Sequence, residues 1–251
     1  IAGPVAWMTF KDPTGVEGAL GTPQSNYNSG GQGVSLMKNT EWWLNDLWLS
    51  DWDNDIRNAP HNIVRDFIYN NPKSAYFDSS SVKYPSPTRI AQLWRWYPYP
   101  SKITTPGQHP AELITDTESE SLRATSGSTY RDNYMLRLAE TYMLRAEAYL
   151  GKGNLISAAD DINVVRSRAN ANPVDPADVT LDYILDERAR ELVYEEPRRI
   201  TLHRTGKLVE RVRKYNTLNK DEIQDYHGLW PIPYSFIEAN KNAVIKQNPG
   251  Y

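Results

Sequence analysis

Apolar residues recur at three- and four-residue spacings after residue 130, and this periodicity predicts amphipathic helices there. One stripe runs through 135–149 and a second through 155–169. Gly151 and Gly153 separate the two stripes, and Asn154 can cap the second helix, as Asp132 or Asn133 can cap the first. The first stripe consists of Met135, Leu138, Tyr142, Ala146 and Tyr149, and the second of Leu155, Ala158, Ala159, Ile162, Val165 and Ala169.

This predicted helix pair resembles a tetratricopeptide unit. Small residues such as Ala146 and Ala158 let the two helices approach, while larger ones such as Ile162 fill the gaps. Pro173 stands a few residues later than the proline that usually closes such a unit. Because a single unit is not expected to be stable alone, the pair must pack on the helices that follow or on repeats that this chain lacks.

Further helices are predicted after this pair. Asp178 or Thr180 can cap the first, which we expect to continue to about Glu196, where a proline follows. After a short turn, Lys207–Tyr215 has an amphipathic helical pattern. Ser235 is expected to cap one more short helix.

The stretch 181–208, LDYILDERARELVYEEPRRITLHRTGKL, interleaves six acidic with six basic side chains. Opposite charges at three- and four-residue spacings, such as Glu187 and Arg190, can pair along a helix. We therefore interpret this stretch as a structural helix with solvent-exposed ion pairs rather than as a catalytic segment.

The first half has a different character. Residues 1–129 are rich in Gly, Pro, Ser and Asn and hold seven of the eight tryptophans. Trp and Tyr rings stack on the apolar faces of sugars, and their N–H and O–H groups bond hydroxyls. Any single tryptophan is more often buried in a core, but for the set we expect at least one exposed platform. The candidate ligand-binding residues are Trp42, Trp43, Trp48, Trp52, Trp94, Trp96, Tyr97, Tyr27, Asn45 and Arg57.

Motifs for metal binding and catalysis are weak. Asp51–Asp55 alternates acids like the start of a calcium loop, but Ile56 replaces the required glycine and Asn62 the final glutamate. The four histidines are scattered, and there is no G-x-S-x-G motif. We expect no catalytic residues, no metal site and no cofactor. The net charge of -3 gives no basic field for nucleic acid.

Three blocks of the sequence closely resemble the SusD/RagB family. They are RLAETYMLRAEAYLGKGN (137–154), the charged stretch 181–208 and LWPIPYSFIEANKNAVIKQNPGY (229–251). The resemblance implies a mainly α fold, with a loop-rich recognition region (1–129) and a tetratricopeptide-like helix pair with a SusD-like C-terminal region (130–251).

The resemblance also implies a function. Such a protein would be a surface-exposed lipoprotein of the cell outer membrane. It would bind oligosaccharide and deliver it to a SusC-like TonB-dependent transporter without breaking a bond. Some members of the family serve peptide uptake, which is the alternative. Since the family's lipid anchor is an N-terminal Cys and this chain has none, we expect the chain to be the C-terminal part of a longer protein.

Overall fold

The structure is a computed structural model that describes residues 11–18, 37–91, 97–103, 110–116, 121–122 and 134–251. The described part is mainly helical, so the predicted fold class is confirmed. In chain order the helices are α1 (Glu41–Leu44), α2 (Pro87–Ala91), α3 (Leu138–Gly151), α4 (Leu155–Arg168), α5 (Leu181–Glu191), α6 (Arg198–Arg204), α7 (Leu208–Tyr215) and α8 (Tyr234–Ala239), and the strands are β1 (Ile63–Val64), β2 (Tyr99–Pro100), β3 (Ile114–Asp116) and β4 (Ser121–Leu122).

The strands are short and form two antiparallel pairs. β1 pairs with β2, with Ile63 opposite Pro100, and β3 pairs with β4, with Ile114 opposite Leu122. The β1–β2 pair joins residues that are far apart in the sequence and holds the segment after α1 in place.

Helices α3 and α4 form the predicted helix pair. The side chain of Asn154 caps α4 as expected, because its Oδ1 accepts the N–H of Ser157 at 3.1 Å. Gly153 makes the turn with a φ of +73°, a conformation that favours glycine. Ile184 of α5 completes the core, so the pair packs on the helices that follow. The buried core comprises Met143, Ala146, Ala158, Ala159, Ile162, Val165, Val174, Val179 and Ile184.

The start of α3 differs from the prediction. The helix begins at Leu138, and Arg137 occupies its N-cap position in an extended conformation. Met135 therefore lies outside the helix and is exposed, as is Leu138, so the buried stripe passes through Met143 instead. The reason is a long-range contact, since Arg137 pairs with Glu191 at 2.7 Å. The suggested caps at residues 132 and 133 lie outside the described residues.

Helix α5 begins as predicted but ends early. Oγ1 of Thr180 accepts the N–H of Tyr183 at 3.1 Å and caps the helix. The helix stops at Glu191, five residues before the predicted end, and Tyr194 takes a left-handed φ of +61°. The turn lets Glu195 reach Lys102 at 2.7 Å.

The remaining helices agree in part with the prediction. α7 lies where it was expected, within one residue. α6 forms where a short turn was expected. Pro233 occupies the N-cap position of α8, so Ser235 lies inside this helix and the predicted serine cap is wrong.

The charged helix α5 is buried rather than exposed. Glu187 has no exposed surface, and its carboxylate lies 2.8 Å from Arg57, 2.8 Å from Arg166 and 2.9 Å from Arg190. The predicted pair of Glu187 with Arg190 exists, but the expectation of solvent-exposed pairs along the helix is wrong. Burial raises the pKa of Glu187, and the three arginines outweigh burial and lower the pKa below its ordinary value.

A second carboxylate extends this buried ion network. Glu191 pairs with Arg57 at 3.0 Å, with Arg137 at 2.7 Å and with Arg168 at 2.6 Å. These arginines come from three separate segments. Helix α5 is therefore the element on which the other segments are assembled.

Candidate ligand-binding site

A cavity of about 810 Å³ lies among α1, α5, α6 and α7. Its wall combines aromatic rings, aliphatic side chains, amides and guanidinium groups. Concave, mainly apolar cavities with a few polar groups are the usual form of small-molecule sites. The aromatic residues of the wall are Trp42, Trp43, Tyr194 and Tyr215; the amides are Asn39, Asn216 and Asn219; and the arginines are Arg188, Arg198, Arg199 and Arg211.

The aromatic wall is built around Trp42. Its ring stacks on that of Tyr215, with ring centroids 4.1 Å apart and an interplanar angle of 26°. The guanidinium of Arg211 lies 5.4 Å from the Trp42 ring and 5.2 Å from the Tyr215 ring. Arg211 is itself paired with Asp182 and Asp186. The orientation of the half-buried Trp42 is thus fixed by its neighbours.

Two other predicted site residues, Trp43 and Trp48, are core residues. Their rings meet edge to face, with centroids 5.5 Å apart. Nε1 of Trp43 donates to the carbonyl of Ala189 at 2.8 Å, and Nε1 of Trp48 donates to the carbonyl of Trp43 at 2.6 Å. Tyr97 is buried as well. In this conformation the N–H groups of both tryptophans are used within the fold.

Trp52 is the predicted tryptophan with the largest described exposure, at 41%. The guanidinium of Arg65 lies 4.7 Å from the centroid of the Trp52 ring and orients it. Asn45 is also exposed, and its Nδ2 donates to Glu41 at 3.3 Å. Neither Trp52 nor Asn45 belongs to the cavity wall, and the exposed ring of Trp52 is called the second platform below. Tyr27, Trp94 and Trp96 lie outside the described residues.

Arg57 was predicted to contact ligand, and the structure places it inside the ion network. Its Nε and Nη2 donate to Asp55 at 2.9 and 2.7 Å. Burial lowers the pKa of Arg57, but the negative charges of Glu187 and Asp55 outweigh burial and raise the pKa. Asp51 is used in a similar way, because it pairs with Arg166 at 2.7 Å. The acids of the calcium-like stretch at positions 51 and 55 therefore serve the fold.

Metal binding has no counterpart in the described geometry. Within the ranges that the structure describes, no group of three or more His, Cys, Asp or Glu residues is placed to hold a metal ion. The cavity wall instead offers ring faces, amides and guanidinium N–H groups, which suit a polar organic ligand.

Three arginines of the cavity wall, one on α5 and two on α6, were not among the predicted site residues. Arg188 is 1% exposed; its Nε donates to Glu196 at 2.8 Å and its Nη2 lies 3.1 Å from Glu140. Arg198 shares Glu196 at 3.2 Å, and Arg199 lies over the ring of Trp230 at 4.3 Å. The sequence signal for them was the charged stretch 181–208, which we had interpreted as exposed helix pairs.

Comparison with known proteins adds a family to this geometry. Residues 23–251 match the model of the SusD family. The starch-binding protein SusD of Bacteroides thetaiotaomicron is 36% identical over 137 residues, which cover 51% of this chain. The same match covers 24% of that relative, so the chain spans less than two thirds of its length.

Solved structures add a likeness of fold. A SusD superfamily protein from Bacteroides vulgatus is 17% identical and has a TM-score of 0.54, over 85% of this chain and 44% of its own. The structure of BT4246 is 28% identical over 52% of this chain and 25% of its own, with a TM-score of 0.40. The family model spans most of the sequence. This chain therefore belongs to the SusD family.

Proposed function

We propose that this protein is the surface glycan-binding component of an outer-membrane nutrient uptake system. The observation that carries the proposal is an aromatic-walled cavity in a member of the SusD family. A relative in that family is named as starch-binding.

The cavity has the parts that a sugar site needs. The stacked pair of Trp42 and Tyr215 offers a flat apolar surface for the C–H face of a sugar ring. The amides of Asn39, Asn216 and Asn219 belong to the same wall and can bond hydroxyl groups. A volume of about 810 Å³ falls within the usual range of small-ligand sites.

Capture without bond cleavage fits the chemistry of the wall. Glu196 is the carboxylate nearest the arginines, and it is bonded by Arg188, Arg198 and Thr201. A carboxylate bonded by three side chains in this way supports the fold. In the proposed role the protein holds an oligosaccharide and passes it to a SusC-like TonB-dependent transporter.

The proposed location is the outer-membrane surface, through a lipid anchor upstream of this chain. No helix in the described part of the chain has the length and apolar character needed to cross a bilayer. The peptide-uptake role expected for some relatives remains the competing proposal, and the following experiment separates the two.

The test is calorimetric titration of the purified protein with a panel of oligosaccharides and, in parallel, a panel of peptides. Three variants accompany it: Trp42→Ala in the cavity, Trp52→Ala on the second platform, and Tyr234→Ala on α8 as a control. Tyr234 is exposed and is not part of the cavity wall. All variants are first checked for folding by circular dichroism.

We expect saturable glycan binding that weakens about tenfold in Trp42→Ala, because a sugar ring loses its stacking surface. The control should bind like the parent protein. A loss confined to Trp52→Ala would move the site to the second platform. Binding of peptides alone would replace the glycan proposal with the peptide one.

A further inference from the structure

The cavity wall carries more positive than negative charge. Lys38 and four arginines line it, against two acids, Glu196 and Glu222. The positive charge of Arg211 is compensated by its ion pairs with Asp182 and Asp186. Lys38 pairs with Glu41 at 3.2 Å. The remaining arginines of the wall, Arg188, Arg198 and Arg199, lie at its α6 side.

At that side two guanidinium groups bind two carboxylates, and a third guanidinium group of the cavity wall packs on a ring. Arg188 and Arg198 share Glu196, and Arg188 also reaches Glu140. Arg199 is exposed and packs over Trp230. The arginine cluster formed by Arg188, Arg198 and Arg199 therefore has one positive charge more than the carboxylates that bind it.

One donor of this cluster lacks an acceptor. Nη1 of Arg188 is buried and has no hydrogen-bond partner among the described residues. Buried guanidinium N–H groups are normally bonded, because leaving them unpaired costs free energy. Burial also lowers the pKa of Arg198, and the positive charge of Arg188 lowers it further, which indicates incomplete compensation by Glu196.

We propose that the arginine cluster binds the anionic group of an acidic glycan, either a uronate carboxylate or a sulfate ester. This inference rests on the proposed glycan-binding function and names its ligand class. Arginine forks match the geometry of carboxylate and sulfate oxygens, and such charge-assisted hydrogen bonds are stronger than neutral ones. Trp42 lies on the wall of the same cavity, so a sugar ring and its acidic group have separate contacts there.

The test compares glycans that differ only in charge. The first pair is an oligogalacturonide and its carboxyl-reduced counterpart, and the second is a sulfated oligosaccharide and its desulfated form. Each is titrated by calorimetry at low and at high salt. We expect the anionic member of one pair to bind about tenfold or more tightly than its neutral partner. That preference should shrink at high salt. The pair that shows it identifies carboxylate or sulfate.

The variants are chosen to keep the fold. Arg188→Gln would leave Glu140 and Glu196 with fewer partners and is avoided. Arg199→Gln and Arg198→Gln neutralise the more accessible members, with 29% of the Arg198 side chain exposed. Lys152→Gln makes the same charge change at an exposed residue beyond α3, outside the cavity wall.

Both arginine variants should lose most of the preference for the anionic glycan and keep the affinity for the neutral one. Lys152→Gln should keep both. Equal affinity for charged and uncharged partners would overturn this inference and leave the glycan-binding function standing. A preference that survives in both arginine variants would also overturn it. If the protein binds neither member of either pair nor any glycan of the wider panel, the proposed function falls too.

Discussion

Residues 39–58 hold four tryptophans, whereas α5 is dominated by charged side chains, and the structure packs one against the other. Nε1 of Trp43 bonds to the carbonyl of Ala189 in α5, and Arg190 of α5 donates to the carbonyl of Leu47 at 2.8 Å. Arg57 of the tryptophan-rich segment reaches Glu187. Each segment thus supplies hydrogen-bond or ion-pair partners for polar groups of the other.

The composition of these two segments did not predict which of their side chains are buried. Tryptophans in a polar segment suggested a ligand surface, and Trp43 and Trp48 proved to be core residues. Alternating charges suggested a solvated helix, and Glu187 and Glu191 proved to be buried. Trp43 and Glu191 each have a partner more than 100 residues away in the sequence, Ala189 and Arg57 respectively.

The largest effect should come from removing the central charge of α5. Glu187→Gln leaves three arginines around an uncharged amide, and loss of one partner from a buried ion network costs about 3–5 kcal/mol. The free energy of unfolding in urea measures it. Glu210→Gln is the control, since this acid is 56% exposed in its pair with Lys207 and should cost under about 1 kcal/mol. Equal costs for both variants would contradict the burial of the network.

The next test compares two tryptophans of the same segment. Trp48→Ala opens a cavity in the core and removes the bond to the carbonyl of Trp43, so we expect a loss of about 3–5 kcal/mol. Trp52→Ala removes an exposed ring and its contact with Arg65, with an expected loss of about 1 kcal/mol or less. Urea denaturation of both variants is the measurement. A loss for Trp52→Ala as large as that for Trp48→Ala would show that the two rings do not differ in burial.

Acid should weaken the contact between the two segments. The pKa of Glu187 is lowered from 4.5 and that of Asp51 from 3.8; in each case burial raises the pKa and the partners outweigh it. The unfolded chain therefore takes up these protons at higher pH than the folded chain. Their contribution to stability is complete above the unfolded-state values and declines as the pH falls through the folded-state values.

Unfolding midpoints measured between pH 7 and pH 3 test this dependence. The parent protein should lose stability below about pH 4.5, and Glu187→Gln should lose less, because one of the titrating groups is gone. A variant with the same pH profile as the parent protein would contradict the assignment to Glu187.

The smallest effect concerns the N-terminal cap of α5. Thr180→Ala removes the side-chain cap and should cost about 1 kcal/mol in a thermal or urea transition. Ser235→Ala is the matched control, because Ser235 lies inside α8 and should change stability by less than about 0.5 kcal/mol. The reverse order would show that the cap belongs to α8 and not to α5.

Local features of the fold could be predicted from the sequence, and long-range ones could not. The α3–α4 pair and the caps at Asn154 and Thr180 were predictable, since periodicity and capping depend on neighbours within a few residues. The end of α5 at Glu191 was not, because the residues that pair with Glu191 and Glu195 there, Arg137 and Lys102, lie far away in the sequence. Hydrophobic periodicity depends on residues a few positions apart and does not predict such contacts.

The candidate site was predictable to a smaller extent. Trp42 was singled out as an aromatic, but its stacking partner Tyr215 is 173 positions later, and no local pattern joins them. The arginines at 198 and 199 were visible as charges, although not as part of a cavity. The division of the chain at 129/130 remains a proposal.

The shared carboxylate of Glu187 also constrains how this sequence can change over evolution. Its three arginine partners lie at positions 57, 166 and 190, on separate parts of the chain. Substitution of any one of the four alters the charge balance of the others, so the effects of double substitutions should not add. Inherited change at these positions is therefore expected in compensating sets, which makes them an epistatic unit in any lineage that keeps this packing.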